Sequence, residues 1–412
     1  MSPIIQIDTP PLPVTKPELV GMSPARLARI RPAMQREIDA GRLPGCVVAI
    51  ARDGKLVHFE AIGARDPATQ APMQGDTIFS IASMTKPVTG VVALSLVEEG
   101  RLLVTDPVGA WLPPLMQMQV AKPTPAMLAG DGPVETEAAR RPMTVQDAMR
   151  HTTGLVYGGR AGSAVHAMMP PGSFWLAENL DTEGFAQTLA GLPLRHHPGT
   201  VWEYGFSTDV LGGVAERAGG AGLGTLMRDR VFGPLGMAET GYVLPQEKLA
   251  RFAVPFAKDP ITGAPQEVAA PLRQPKMEPG GAGLVSTAGD YLRFAEMLRA
   301  GGTLDGVRVL APSTVKWMAS DHLHGIENNV AAMDTALDGY GFGLTVAVRT
   351  KAGGSGFMGA PGAFGWSGVW GTYFWADPVE RLSVVFMAHA PGDLRQRYRR
   401  LINMLSYQAI DA

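Results

Sequence analysis

A chain of 412 residues, 46% of them hydrophobic, can bury a sizeable core and suits one large two-lobed enzyme or two to three ordinary domains. Charged residues make up only 18% and the formal net charge is −2, which argues against a nucleic-acid binder with its basic surplus and against an acidic disordered tail. Gly and Pro together are about a fifth of the chain, below the roughly 25–30% of low-complexity sequence, and the single cysteine, Cys46, leaves no intramolecular disulfide and no Cys-based metal cluster.

Met1 to Asp8 has neither a basic n-region nor an apolar h-region. No run approaches the ~18 apolar residues of a membrane span. The best, Val88 to Val97, ends in Glu98-Glu99-Gly100. A cytoplasmic protein with no membrane and no nucleic-acid partner is expected. Residues 1–20, with five prolines, read as an extended arm. Ser23 as N-cap and Pro24 at the first helical position open a helix to about Ala40-Gly41. Apolar Cys46–Ala51 and Leu56–Gly63 flank Asp53-Gly54, which predicts a hairpin. A helix follows from about Ser83 to Glu99.

From Trp111 to Pro279 short helical patterns (Val145–Arg150, Glu183–Ala190, Asp209–Arg217, Gly224–Val231) alternate with Pro/Gly-rich loops. After Gly280-Gly281, Ser286–Asp290 introduces a helix through Arg299. Tyr340–Val348, Gly371–Ala376 and Leu382–His389 read as strands, with Asp377-Pro378 turning between the last two, and a helix from about Leu394 to Leu405 closes the chain. The expected organisation is an α/β sheet domain from residues 21–110 and 280–412, discontinuous in sequence, with a mostly helical domain of residues 111–279 inserted. Loops Met116–Arg141 and Gly159–Pro171 are expected to shape any cleft between them.

Three segments carry candidate chemistry. In Ser83-Met84-Thr85-Lys86 the Ser-x-x-Lys spacing puts both side chains on one helix face, one turn apart. Pro87 locates the helix start, so Ser83 falls where unpaired N–H groups favour an oxyanion. A neutral lysine there can take the serine proton. Alone, the pattern also fits a chance Ser/Lys pair. Tyr204, in Trp202-Glu203-Tyr204-Gly205-Phe206-Ser207, sits in a glycine-containing loop before a helix and could relay a proton; an isolated tyrosine more simply packs its ring. In Gly365-Trp366-Ser367-Gly368-Val369-Trp370-Gly371 the glycines let backbone approach a substrate, and an edge-strand N–H such as that of Val369 could stabilise an oxyanion. An ordinary turn with a packed tryptophan is the plain alternative.

In this order the three segments resemble the serine β-lactamase/penicillin-binding-protein superfamily. The likeness is greatest to its class C branch and, within it, to the family VIII carboxylesterases and their acyltransferase relatives. It spans about residues 21–410 and takes in Ser80–Lys86, Leu96–Gly100, His151-Thr-Thr-Gly-Leu155, Pro198-Gly199-Thr200 and Gly283–Ala288. It implies an antiparallel sheet flanked by helices, with the active site between sheet and helical lobe. It also implies Ser83 as acylated nucleophile, Lys86 as its proton acceptor, Tyr204 as general base and acid, and an oxyanion hole from the N–H groups of Ser83 and Val369. Trp366, with Gly368, then takes the place of the Lys-Thr-Gly box, and Tyr157 lines the substrate cleft. Two departures stand out: Phe206 replaces the asparagine of Tyr-x-Asn, and Trp366 replaces the cation that binds the carboxylate of β-lactams. Both favour the esterase branch. No Gly-x-Ser-x-Gly occurs, against an α/β-hydrolase.

The remaining candidates are plainer. His151 reads as structural, since Lys86 and Tyr204 already fill the base role. His196-His197 carry no accompanying carboxylate or Cys pattern, so no metal site is expected, and His322 and His324 read as solvated loop residues. The 21 methionines, with Trp175, Trp202 and Trp370, read as packing. The expectation is a cofactor-free serine carboxylesterase acting on small-molecule esters of short or medium acyl chain, as a monomer or homo-oligomer. An acyltransferase or weak cephalosporinase using the same acyl-enzyme, and a non-catalytic binding protein, are its rivals.

Overall fold

The computed structural model describes residues 4–130, 133–159 and 162–411, so Met1–Pro3 of the expected arm, Ala412 and residues 131–132 and 160–161 of the two loops lie outside it. The elements that build the sheet and its covers are, in chain order, β1 (Ile4–Ile5), α1 (Ile30–Asp39), β2 (Gly45–Arg52), β3 (Lys55–Asp66), α2 (Thr85–Glu98), α3 (Ser207–Gly219), α4 (Ala288–Arg299), β4 (Tyr340–Phe342), β5 (Ala347–Arg349), β6 (Phe364–Ser367), β7 (Tyr373–Asp377), β8 (Leu382–Met387) and α5 (Leu394–Tyr407). With the short strand Ala71–Pro72 beside β3, they form a nine-stranded sheet of order β1-β3-β2-β8-β7-β6-β5-β4. Only β1 pairs parallel, with β3. The antiparallel sheet flanked by helices anticipated from sequence is the one found.

The β2–β3 turn closes because Asp53 and Gly54 both take positive φ, 53° and 74°, as a type I′ hairpin requires. Side chains of β2 then alternate between two cores. Val47, Ala49 and Ala51 join one; Cys46, Val48 and Ile50 join the other. A strand buried on both faces reads as a continuous apolar run, which is why Cys46–Ala51 shows no polar alternation. The outer core receives Ile30 and Met34 of α1 and Tyr398 and Ile402 of α5. The inner one receives α4, α2 and the middle of the chain. Each Leu, Ile or Phe so buried contributes roughly 1.5–3 kcal/mol.

α2 is buried on every side from Thr85 to Leu96, so it is the central helix between the sheet side and the helices around α3. Between α2 and α4 helices dominate, and the strand pair Gln119–Ala121 with Thr136–Ala138 is short; Ile78–Ser80, just before α2, pairs with Val285–Thr287, just before α4. No described helix is long and apolar enough to cross a membrane.

Three elements differ from expectation. The helix expected from Pro24 to Ala40 breaks into Pro24–Leu27 and α1. Pro32 has no N–H to donate to Ala28, so the helix restarts with Pro32 in its first turn, where proline is tolerated. Tyr340–Val348, expected as one strand, is the β4–β5 hairpin, closed by Gly343 N–H to Val346 O at 2.8 Å. Its apolar pattern continues through the turn, which hid the turn from a pattern-based reading. Gly371–Ala376 starts two residues late, because Gly371 (φ 118°) still belongs to the turn after β6.

Candidate active site

Ser83 is carried by a short 3₁₀ turn, Ala82–Met84, that leads into α2. The segment around it is pinned from three sides. Ser80 N–H donates to His389 Nε2 at 3.0 Å, Ile81 N–H to Leu284 O at 2.9 Å, and Tyr291 Oη to Met84 O at 2.7 Å. Ser83 therefore stands just ahead of the α-helix, partly exposed among buried neighbours. Its own N–H donates to no group among the described residues.

Lys86, one turn on, is completely buried. Its Nζ lies 2.7 Å from Gly281 O, 3.4 Å from Ser83 Oγ and 3.3 Å from Tyr157 Oη, a full set of partners for its three donors. It also sits 4.6 Å from the centre of the Tyr204 ring. Tyr204 Oη donates to Ser83 Oγ at 2.7 Å. Gly205 makes that approach feasible: a methyl there would overlap Leu155 O and Val156 Cα, the backbone against which the loop presses. Glu203 N–H donates to His151 O at 3.0 Å and Trp202 N–H to Glu327 O at 2.8 Å, fixing the loop just ahead of Tyr204. The buried His151 ring lies 4.7 Å from that of Tyr204, so His151 packs behind the tyrosine.

Trp366 stands one residue before the end of β6, with its ring 5.5 Å from that of Tyr204. The expectation of Val369 on an edge strand is corrected: it sits in the tight turn after β6. Gly368 N–H donates to Thr372 O at 2.9 Å and Gly371 N–H to Gly368 O at 3.1 Å. Val369 nonetheless lines the same cavity as Ser83, and its N–H donates to no group among the described residues. The N–H groups of Ser83 and Val369, both without an acceptor among the described residues, thus belong to residues that line one cavity. The cavity measures about 380 Å³, within the usual range for small-molecule sites, and includes Tyr204, Trp366, Phe357 and Trp375 in its walls.

Sequence reasoning missed three parts of this site. The first is the fully buried Asp209, in the first turn of α3. Its Oδ2 accepts from Ser173 Oγ at 2.9 Å and Tyr157 Oη at 3.3 Å, and its Oδ1 accepts from Gly281 N–H at 2.9 Å. Burial pushes its carboxyl up, and Lys86 works against that. Tyr157, expected to line the cleft, is buried with its hydroxyl committed to Lys86, Ser173 and Asp209. The second is Glu203, next to Tyr204. His166 Nε2 lies 2.9 Å and His196 Nε2 2.5 Å from its carboxylate. Burial opposes ionisation, yet the two histidines hold Glu203 down to about 2. His196 and His197 therefore do have carboxylates, but different ones, since His197 meets Glu137 at 3.0 Å. Among the described residues no group of three or more His, Cys, Asp or Glu is placed to hold a metal ion. His322, expected in solvent, is half-buried against Trp317 O and Gln146. The third is Arg399 of α5, buried beside the turn that carries Val369. None of the three has a local sequence signal, because each depends on at least one partner from a distant element: Gly281 for Asp209, His166 for Glu203 and Gly368 for Arg399.

A sheet with a serine at the mouth of a buried helix, a lysine one turn on and a tyrosine from a loop more than a hundred residues further along the chain define a class of acyl-transferring serine enzymes. The family profile described as beta-lactamase matches residues 28–409, and the chain belongs to that family. It is 37% identical over 373 residues to Protein Rv1367c of Mycobacterium tuberculosis, covering 87% of this chain and 89% of that protein. It is 29% identical over 384 residues to Esterase EstB of Burkholderia gladioli, covering 88% and 90%. Among solved structures, EstCE1, a hydrolase with promiscuous acyltransferase activity, superposes with a TM-score of 0.75 at 27% identity, covering 93% of this chain and 99% of that one. The protein is a serine hydrolase of the acyl-enzyme type, acting by hydrolysis or acyl transfer.

Proposed function

We propose that the chain is a carboxylesterase that cleaves small esters of short or medium acyl chain through an acyl-enzyme on Ser83. The observation that carries this reading is the 2.7 Å contact from Tyr204 Oη to Ser83 Oγ, with Lys86 Nζ at 3.4 Å on the same oxygen. Ser83 Oγ attacks the ester carbonyl while its proton passes to the Tyr204/Lys86 pair. The N–H groups of Ser83 and Val369 hold the oxyanion. Tyr204 then protonates the departing alcohol, and the pair activates water to release the acid. Glu203, clamped by two histidines, and Gly205, pressed on Leu155, keep the tyrosine in place. Asp209 and Tyr157 keep Lys86 in reach of Ser83.

Esters are favoured over β-lactams because the box position holds Trp366 with no charge, and Phe206 packs its ring 4.6 Å from that of Tyr157 where an amide would be needed. The name of Esterase EstB supports the same direction. Acyl transfer to an alcohol is the second reading, favoured by the likeness to EstCE1.

Hydrolysis of p-nitrophenyl butyrate and of a chromogenic cephalosporin by wild type and Ser83→Ala tests the reading. Ester cleavage that disappears in the folded mutant, with slow or no cephalosporin turnover, is expected. Cephalosporin turnover at a rate comparable to ester turnover would overturn the ester assignment, and an unchanged Ser83→Ala rate the nucleophile.

A further inference from the structure

The guanidinium of Arg399 is buried and has no carboxylate within 4.0 Å among the described residues. Its Nη2 donates to Gly368 O at 2.5 Å and its Nη1 to Gln396 Oε1 at 3.2 Å, while Nε meets no acceptor. A cation buried without a counter-ion is costly, and removing one partner of a buried pair leaves such a charge exposed to the full cost. Burial, helped by the charge of Arg395, pulls Arg399 down to about 9, so it stays cationic at neutral pH.

Gly368 O and Val369 N–H belong to one peptide unit. The described chain has no cis peptide bonds, so this unit is trans, with its carbonyl and its N–H pointing in opposite directions. Arg399, together with Gly371 N–H on the same oxygen at 3.1 Å, therefore fixes the direction of the Val369 N–H, which has no acceptor among the described residues and belongs to a residue lining the cavity of Ser83. A charge-assisted bond to the carbonyl also draws electron density from the amide nitrogen and strengthens that N–H as a donor. The turn is held from the far side as well: Gly368 N–H bonds Thr372 O, and Thr372 Oγ1 bonds Ile81 O at 3.3 Å, two residues before Ser83.

We infer that Arg399 is a positioning residue of the oxyanion hole: from α5 it orients and polarises the Gly368–Val369 peptide so that the Val369 N–H is a strong, fixed donor to the developing oxyanion. The inference rests on the serine-esterase reading above. It touches neither the nucleophile nor the proton relay, and its effect is confined to the transition state.

Arg399→Met and Arg399→Lys are to be compared with wild type on p-nitrophenyl butyrate, together with inhibition by an alkylboronic acid, whose tetrahedral adduct mimics the oxyanion. Losing an oxyanion donor outright costs about 10²–10³ in kcat, so weakening one is expected to lower kcat by about 10- to 100-fold in Arg399→Met. KM should stay within about threefold, boronate affinity should fall in parallel with kcat, and Arg399→Lys, which keeps a cation, should recover most of the loss. A kcat within threefold of wild type in Arg399→Met, or a loss carried by KM with boronate affinity unchanged, overturns the inference. The ¹⁵N–¹H signal of Val369, assigned with Val369→Ala, gives a readout that needs no turnover. It should shift in Arg399→Met and return toward wild type in Arg399→Lys, and an unmoved signal also overturns the inference. If wild type fails to cleave esters, the esterase reading falls while this signal still decides the role of Arg399.

Discussion

Gly368→Ala probes the geometry of the site at the point where two of its elements touch. A methyl on Gly368 would land inside the 3.0 Å contact limit of both Thr372 Oγ1 and Ile81 O. The threonine hydroxyl can turn away, but Ile81 O is backbone, two residues from Ser83 and fixed by Ile81 N–H to Leu284 O at 2.9 Å. The turn carrying Val369 must therefore back away from the Ser83 segment by about half an ångström or more. Overpacking of this kind costs about 1–3 kcal/mol of stability, which a chain with so large a core tolerates. A misplacement of about 1 Å costs up to about 10²-fold in rate, so a shift of half that or more predicts a loss of about 10- to 100-fold in kcat/KM. Steady-state hydrolysis of p-nitrophenyl butyrate measures the rate, and thermal unfolding by circular dichroism confirms the fold. Gly241→Ala, where a methyl meets nothing within 4 Å, is the control and should leave both unchanged. A folded Gly368→Ala enzyme with kcat/KM within threefold of wild type would refute the reasoning, because the proposed oxyanion donors would then not depend on this contact.

Two further outcomes follow from other contacts. Tyr204→Phe removes the hydroxyl at 2.7 Å from Ser83 Oγ and should lower kcat by about 10²–10⁴, while a loss under tenfold would remove Tyr204 from proton transfer. Stability should also respond to His389, which burial pulls down to about 4 while its ring accepts from Ser80 N–H and bonds Ala253 O. The unfolded chain binds this proton below pH 6.5, but the native one only below about 4. The contribution is therefore complete above pH 6.5 and is lost as pH falls to about 4, by about 3 kcal/mol. Asp290, which burial pushes up to about 6, acts with the opposite sign between pH 6 and 3.8, so the unfolding free energy of wild type minus that of His389→Asn is the quantity to follow by urea denaturation. A difference that does not change with pH would contradict the assignment.

The parts of the site visible in the sequence are those written at fixed local spacing. Ser83 and Lys86 are one helical turn apart, Asp53-Gly54 needs only its own two φ angles, and Trp366 to Val369 are contiguous. Their partners were hidden because packing across large sequence separations creates them. Asp209 meets Tyr157 across 52 positions, Lys86 meets Gly281 across 195, and Arg399 reaches Gly368 only after α5 folds back on the sheet. Tyr157 shows the limit most clearly. It was expected to line the cleft, yet its hydroxyl turns to Lys86, Ser173 and a buried aspartate that no local pattern announces. The break at Pro32 and the hairpin within Tyr340–Val348 were missed for a related reason: periodicity reports which faces are apolar and is blind to a turn that preserves the alternation.

The central claim is that Ser83, at the mouth of α2 and bonded to Tyr204, forms the acyl-enzyme. The most direct test is intact-protein mass spectrometry of the chain after reaction with a serine-directed phosphonate ester, followed by peptide mapping. One adduct per chain on the peptide containing Ser83, formed as esterase activity is lost and absent from Ser83→Ala, is the expected result. Loss of activity with the adduct on another residue, or esterase activity that persists with Ser83 fully labelled, would contradict it.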